Sequence, residues 1–192
     1  QCGEVHCERE GGTVMTAPRH FLSMSLDIFA TTLAAFAFTR RITTVHMHHT
    51  WRPTHAQYTG LPTILGMWRF HVYTNSWSDI AQHITIAPDG VIWSGRDWNQ
   101  PPASAVGHNG TRAAGPFMFE MIGDFDHGQD LFEGEQRRVT LAVIALVQQR
   151  FGLEPTTLRF HNQLSTKSCP GSSLDYQEIV EAVRVLHRAG DC

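Results

Sequence analysis

The sequence predicts an α/β fold, a single domain in which helices flank a mixed central β-sheet. Three observations predict it. Short strand-like runs alternate with segments of helical period, a hairpin signal sits near mid-chain, and 42% of the 192 residues are apolar, enough to fill a core.

Residues 1–20 are rich in Gly, Glu and Thr and have no apolar period, so they read as an N-terminal extension ahead of a domain over 21–192. Leu26, Phe29, Leu33 and Phe36 then recur at helical spacing, and Arg40 and Arg41 close that region before a strand from Ile42 to His49. The stretch from Phe21 to Phe38 is the most apolar early in the chain. Asp27 interrupts it and Ser and Thr dilute it, so it reads as a soluble amphipathic helix and not as a membrane span. Leu61, Ile64, Leu65, Trp68 and Val72 mark a second helix.

Ile80 to Ala87, the turn Pro88-Asp89-Gly90, and Val91 to Ser94 together predict a β-hairpin, because Asp-Gly supplies the positive φ that such turns need. Pro116 to Gly123 is a further strand, with Phe117, Phe119 and Met121 on one face. Val139, Ala142, Val143, Leu146, Val147 and Phe151 belong to a long helix that is apolar nearly all round, which predicts burial. Leu158 to His161 is a short strand, and Ile179, Ala182, Val183 and Leu186 lie on a last helix. The order of strands in the sheet does not follow from these patterns.

Composition narrows the function classes. The formal net charge is only -3, and Lys and Arg form no stripe, so the electrostatic footprint of nucleic-acid binding is missing. A polybasic membrane anchor is missing too. Of the four cysteines, Cys2, Cys7 and Cys192 lie near the termini and Cys169 lies inside a histidine-bearing segment. Two of the terminal three could pair outside the cytoplasm, or all three could be reduced, so cysteine usage leaves the compartment open.

Twelve histidines are present, and two segments make the count informative. In Val45-His46-Met47-His48-His49-Thr50, at a strand end, His46 and His48 point one way and His49 the other. In the segment His161 to Cys169-Pro170-Gly171, an imidazole and a thiol follow a strand. With a distant His48 they would make a three-ligand zinc site that keeps a fourth position open; the alternatives are histidines satisfied by backbone and a chance His–Cys spacing. Glu120 is the lone charge in an apolar strand. Burying it is costly unless a cation offsets it, the alternatives being an exposed strand edge or a paired Arg.

Taken together, His48-His49-Thr50, Trp77-Ser-Asp-Ile80-Ala-Gln82-His83, Pro88-Asp89-Gly90, Gly95-Arg96 and His161 to Gly171 resemble the zinc amidase family. That family includes phage endolysin amidases, AmpD-type recycling amidases and peptidoglycan recognition proteins, and the resemblance covers roughly residues 42–185. It implies hydrolysis of the amide between N-acetylmuramic acid and L-alanine, with one zinc ion per chain held by His48, His161 and Cys169. His46 and His49 would stand behind these ligands.

Catalytic relatives of the recognition-protein type place a Tyr where this chain has Gln82, and an amide cannot act as acid or base. The resemblance to AmpD-type members around Phe117-Met-Phe119-Glu120-Met121-Ile-Gly123 implies Glu120 as the base instead. Lys167 would stabilise the oxyanion, and Trp51, Gln82, Arg96 and Asn109 would border the substrate groove, although Ser104 stands where relatives often have a His. The implied partner is peptidoglycan or a muropeptide, met by a monomer at a cell wall reached by secretion or lysis. A non-catalytic wall-binding protein and a cytoplasmic recycling amidase are the alternatives.

Overall fold

The computed structural model describes residues 19–190. Nearly all of the expected extension, and Cys2, Cys7 and Cys192, lie outside the described residues. Six strands, β1 (Ser23–Met24), β2 (Arg41–His49), β3 (Ile84–Ile86), β4 (Ile92–Ser94), β5 (Ala114–Met121) and β6 (Leu158–Phe160), form one sheet in the order β1-β4-β3-β5-β2-β6. Pairs β1–β4 and β3–β4 are antiparallel and pairs β3–β5, β5–β2 and β2–β6 are parallel, so the sheet is mixed, as expected.

Strand alternation sorts side chains onto two faces. Val45 and Met47 of β2, Phe117, Phe119 and Met121 of β5, Ile84 and Ile86 of β3, and Leu158 and Phe160 of β6 all enter the main core. The helices α1 (Leu26–Ala35), α3 (Gly134–Phe151) and α4 (Tyr176–Gly190) cover that face. The long helix is buried on most of its surface, because it packs on the sheet and also against both α1 and α4. It stops at Gly152, whose left-handed φ of 61° ends the hydrogen-bond ladder.

The opposite face is more polar and is only partly covered. There α2 (Leu61–Arg69), continued by a π-type turn over Phe70–Thr74, sets Ile64, Met67 and Trp68 into a smaller cluster with Phe21, Ile80, Ala87 and Ile122. No helix among the described residues is long and apolar enough to cross a membrane.

Two local expectations change. Ser25 caps α1 through Oγ, and the helix ends at Ala35, so Phe36 leaves it and packs with Phe38 and Trp98 instead. The first strand of the hairpin is only Ile84–Ile86, because Ile80 to His83 is irregular although fully buried. That segment donates and accepts across its edges, His83 N to the Met118 carbonyl and Arg96 N to the Gln82 carbonyl, which satisfies its backbone without a regular ladder.

Candidate metal centre and groove

Parallel register lays a row of functional side chains across the polar face. Thr85 of β3 pairs with Glu120 of β5, and Glu120 pairs with His48 of β2. Met47 pairs with Phe160, so the next step along both strands sets His161 beside His48, with ring centres 4.4 Å apart. Glu120 is thus on a central strand with partners on both sides, and the edge-strand alternative does not hold.

Cys169 arrives from the loop beyond β6. Its Sγ accepts from the His49 backbone N–H at 3.4 Å and lies 3.6 Å from His48 Nδ1. Phe125 and Asp126 pin the loop: Ser172 N donates to Asp126 Oδ1 at 2.8 Å, and Ser173 Oγ donates to the Phe125 carbonyl at 2.7 Å. Gly171 permits this closeness. It holds φ at 134°, and a Cβ there would stand 2.4 Å from the Phe125 carbonyl oxygen, so no other residue fits without displacement.

One ligand atom from each of His48, His161 and Cys169 lies within 4.8 Å of the others, and all three residues are buried. A tetrahedral zinc with ordinary bond lengths separates nitrogen from sulfur by about 3.6 Å, in agreement with the His48–Cys169 distance. Burial first, then the charges of His161, His46, His49 and Lys167, push His48 well below its ordinary pKa; burial and Lys167 lower His161 likewise. Both shifts favour the neutral imidazole that a metal ligand requires. Burial pushes the Cys169 thiol up to about 12, so a bound cation is what would ionise it.

Beside this trio, burial raises the Glu120 carboxyl to about 8. The residue keeps a partial opening to the groove, while its Oε2 is sealed off without a hydrogen-bond partner. His46 shares the face of His48, at 6.4 Å between rings, and burial lowers it to about 4. His49 turns to the other side, where its Nδ1 accepts from Phe125 N at 3.2 Å.

A groove of two joined compartments, about 770 and 540 Å³, opens over the row. Thr50, Phe70, His71 and Glu120 line both compartments. The larger one holds His161, Cys169, Lys167, Trp51 and Ser104. Trp51 is 57% exposed.

Three residues expected along the groove line neither compartment. Arg96 is 8% exposed and donates to the carbonyls of Ile80, Asp79 and Pro101, because the irregular buried segment needs donors. Gln82 is fully buried and its Nε2 donates to Thr85 Oγ1 at 2.8 Å. Asn109 closes its own loop, its Oδ1 accepting from Ala105 N at 3.0 Å.

Among the groove residues that sequence reasoning missed are His71 and Arg52. His71 Nδ1 accepts from Ala81 N at 3.2 Å, which leaves Nε2 as the protonated nitrogen. Its place at the end of an apolar helix carried no signal of this. Arg52, next to Trp51, lines the smaller compartment; a charged residue in a loop is usually solvated, so nothing marked it.

Residues 38–172 match the family model described as N-acetylmuramoyl-L-alanine amidase. A human N-acetylmuramoyl-L-alanine amidase is 27% identical over 134 residues, which are 68% of this chain and 22% of that protein. The chain thus spans about a fifth of the length of the curated relatives it matches. A Drosophila PGRP-LB variant solved in complex with tracheal cytotoxin is 26% identical with a TM-score of 0.60, over 75% of this chain and 83% of that one. LysCS, an endolysin amidase of Clostridium intestinale, shares the fold at 22% identity with a TM-score of 0.59, over 77% of this chain and 85% of that one.

Proposed function

Because the chain belongs to the N-acetylmuramoyl-L-alanine amidase family, we propose that it is a zinc-dependent hydrolase of peptidoglycan, cutting the amide between the lactyl group of N-acetylmuramic acid and L-alanine. The observation that carries this reading is the convergence of His48, His161 and Cys169 beside the orphaned carboxyl of Glu120. Zinc held by those three would act as a Lewis acid and bring the ionisation of water close to neutral pH.

Glu120 takes a proton from the attacking water and returns it to the departing alanine nitrogen. A carboxyl raised toward neutrality is suited to both steps, and a cation beside it lowers the value so that the base form is available. Lys167, exposed in the larger compartment, pairs with the negative charge that develops on the carbonyl oxygen. His49, with ring Nδ1 accepting from Phe125 N and its backbone N–H donating to Cys169 Sγ, keeps the thiolate in place. Trp51 offers an aromatic face to a sugar ring. The protein would act as a monomer on a wall reached by secretion or lysis.

The test is digestion of purified peptidoglycan by the zinc-loaded chain, read by mass spectrometry. Release of peptides with a free L-alanine amine and intact glycan strands is expected. Zinc bound near one equivalent with no such amine released would overturn catalysis in favour of wall recognition without cleavage.

A further inference from the structure

The compartment beside Glu120 carries a cation that hydrolysis leaves unused. Arg52 follows Trp51, whose backbone is left-handed at φ 56°, and its guanidinium lies 4.8 Å from the centre of the Trp51 ring. Nη1 donates to Asp124 Oδ2 at 2.9 Å and to the Trp51 carbonyl at 2.8 Å. Asp124 is buried, its side chain 4% exposed, whereas the Arg52 side chain is 46% exposed. One edge of the guanidinium is therefore anchored and stacked. Nε and Nη2 have no protein partner among the described residues and remain available.

A planar guanidinium with an open edge is the side chain best matched to a carboxylate. Among the described residues Glu120 is the only acid lining either compartment, and Gln57, Thr59 and Thr63 supply neutral polar groups to the compartment that Arg52 lines. We propose that Arg52 is a specificity residue, receiving a free carboxylate on the peptide residue that follows L-alanine and so selecting acidic stems over amidated ones. Asp124 is its positioning residue. The inference rests on the amidase reading above.

The chemistry of the substrate points to that residue. The sugar and lactyl portions carry hydroxyls and amides without charge, and the isoglutamyl unit after L-alanine bears the first charge, either free or masked as a carboxamide. An extended chain advances about 3.5 Å per residue. A carboxylate one residue past a scissile amide held at Glu120 is therefore within reach of the compartment that Glu120 and Arg52 both line.

The test uses two muramyl tripeptides made uncleavable by a ketomethylene link in place of the lactyl amide, one with a free carboxylate and one with a carboxamide at the second stem residue. Binding to the zinc-loaded chain is measured by calorimetry. The carboxylate form should bind about tenfold or more tighter, as expected for a charge-assisted bidentate pair, and Arg52→Gln should erase the difference while Arg52→Lys restores part of it. Equal affinities in the unsubstituted chain, or no binding of either ligand, would overturn the proposal without requiring any variant to fold. Hydrolysis of the matching natural amides is followed in parallel. A carboxylate preference in binding with no hydrolysis upholds the role of Arg52 and removes the catalytic reading instead.

Discussion

His48 and Glu120 face each other in register on adjacent parallel strands, at the C-terminal ends of β2 and β5. The strand ladder, and not a loop, thus sets the distance between a candidate ligand and a candidate base. Glu120→Gln keeps the shape and removes the ability to take a proton. Its kcat on muramyl peptides should fall by about 10²–10⁴-fold, the usual contribution of a positioned general base, with zinc still bound near one per chain by atomic absorption. Turnover close to that of the unsubstituted chain would take Glu120 out of the mechanism.

Chelation should destabilise the fold. Free zinc at a hundred times its Kd stabilises by about 2.7 kcal/mol, which corresponds to about 5–10 °C in Tm for a domain of this size. Differential scanning calorimetry with and without a chelator reads that shift, and Cys169→Ser should show most of the loss even with zinc present. A Tm indifferent to zinc would mean that the trio does not bind the metal in the folded state.

Acid should unfold the metal-free protein through its buried neutral histidines. His83 is fully buried, with Nδ1 accepting from Met118 N at 2.9 Å and Nε2 donating to the Gln100 carbonyl at 2.9 Å. Burial lowers its pKa from 6.5 to about 3. The unfolded chain therefore binds the proton more readily than the folded one. Stability is complete above pH 6.5 and declines as pH falls toward 3. His46 and His71, each lowered to about 4, act in the same direction. Urea unfolding across this range should show the decline, and His83→Gln should make it shallower; an unchanged slope would assign the acid sensitivity to other groups.

Gly171→Ala should be costly. The new Cβ would meet the Phe125 carbonyl oxygen at 2.4 Å and Cβ at 2.5 Å, on a backbone at φ 134°. A loss of about 2–4 kcal/mol is expected from strain and overlap together, measured by denaturant unfolding. Zinc retention should weaken as well, since the same loop carries Cys169. Wild-type stability with full zinc retention would show that the loop shifts freely.

Much of the fold could be read locally. The period of Phe117, Phe119 and Met121 set them on the face of β5 opposite Glu120, and the same alternation within β2 separated His48 from His49; only the strand register brought Glu120 beside His48. The apolar girth of the long helix predicted its burial. Where reading failed, a non-local demand had intervened: Ile80 to His83 looked like strand but is held by scattered bonds to Met118, Ala103, His71 and Arg96, and the Arg96 guanidinium, spent on the Ile80, Asp79 and Pro101 carbonyls, leaves the groove.

Amino-acid order alone was enough for the helix and strand periods, the sidedness of the histidine-bearing strand and the oddity of a lone acid among apolar neighbours, because each is a property of residues a few positions apart. Folding in three dimensions decided which strands became neighbours, how Cys169 reached a histidine 121 positions earlier, and why Arg52 and His71 face the groove while Gln82 and Asn109 do not. Those outcomes depend on long-range hydrogen bonding and on one loop approaching another closely enough to require glycine, and no local period encodes either.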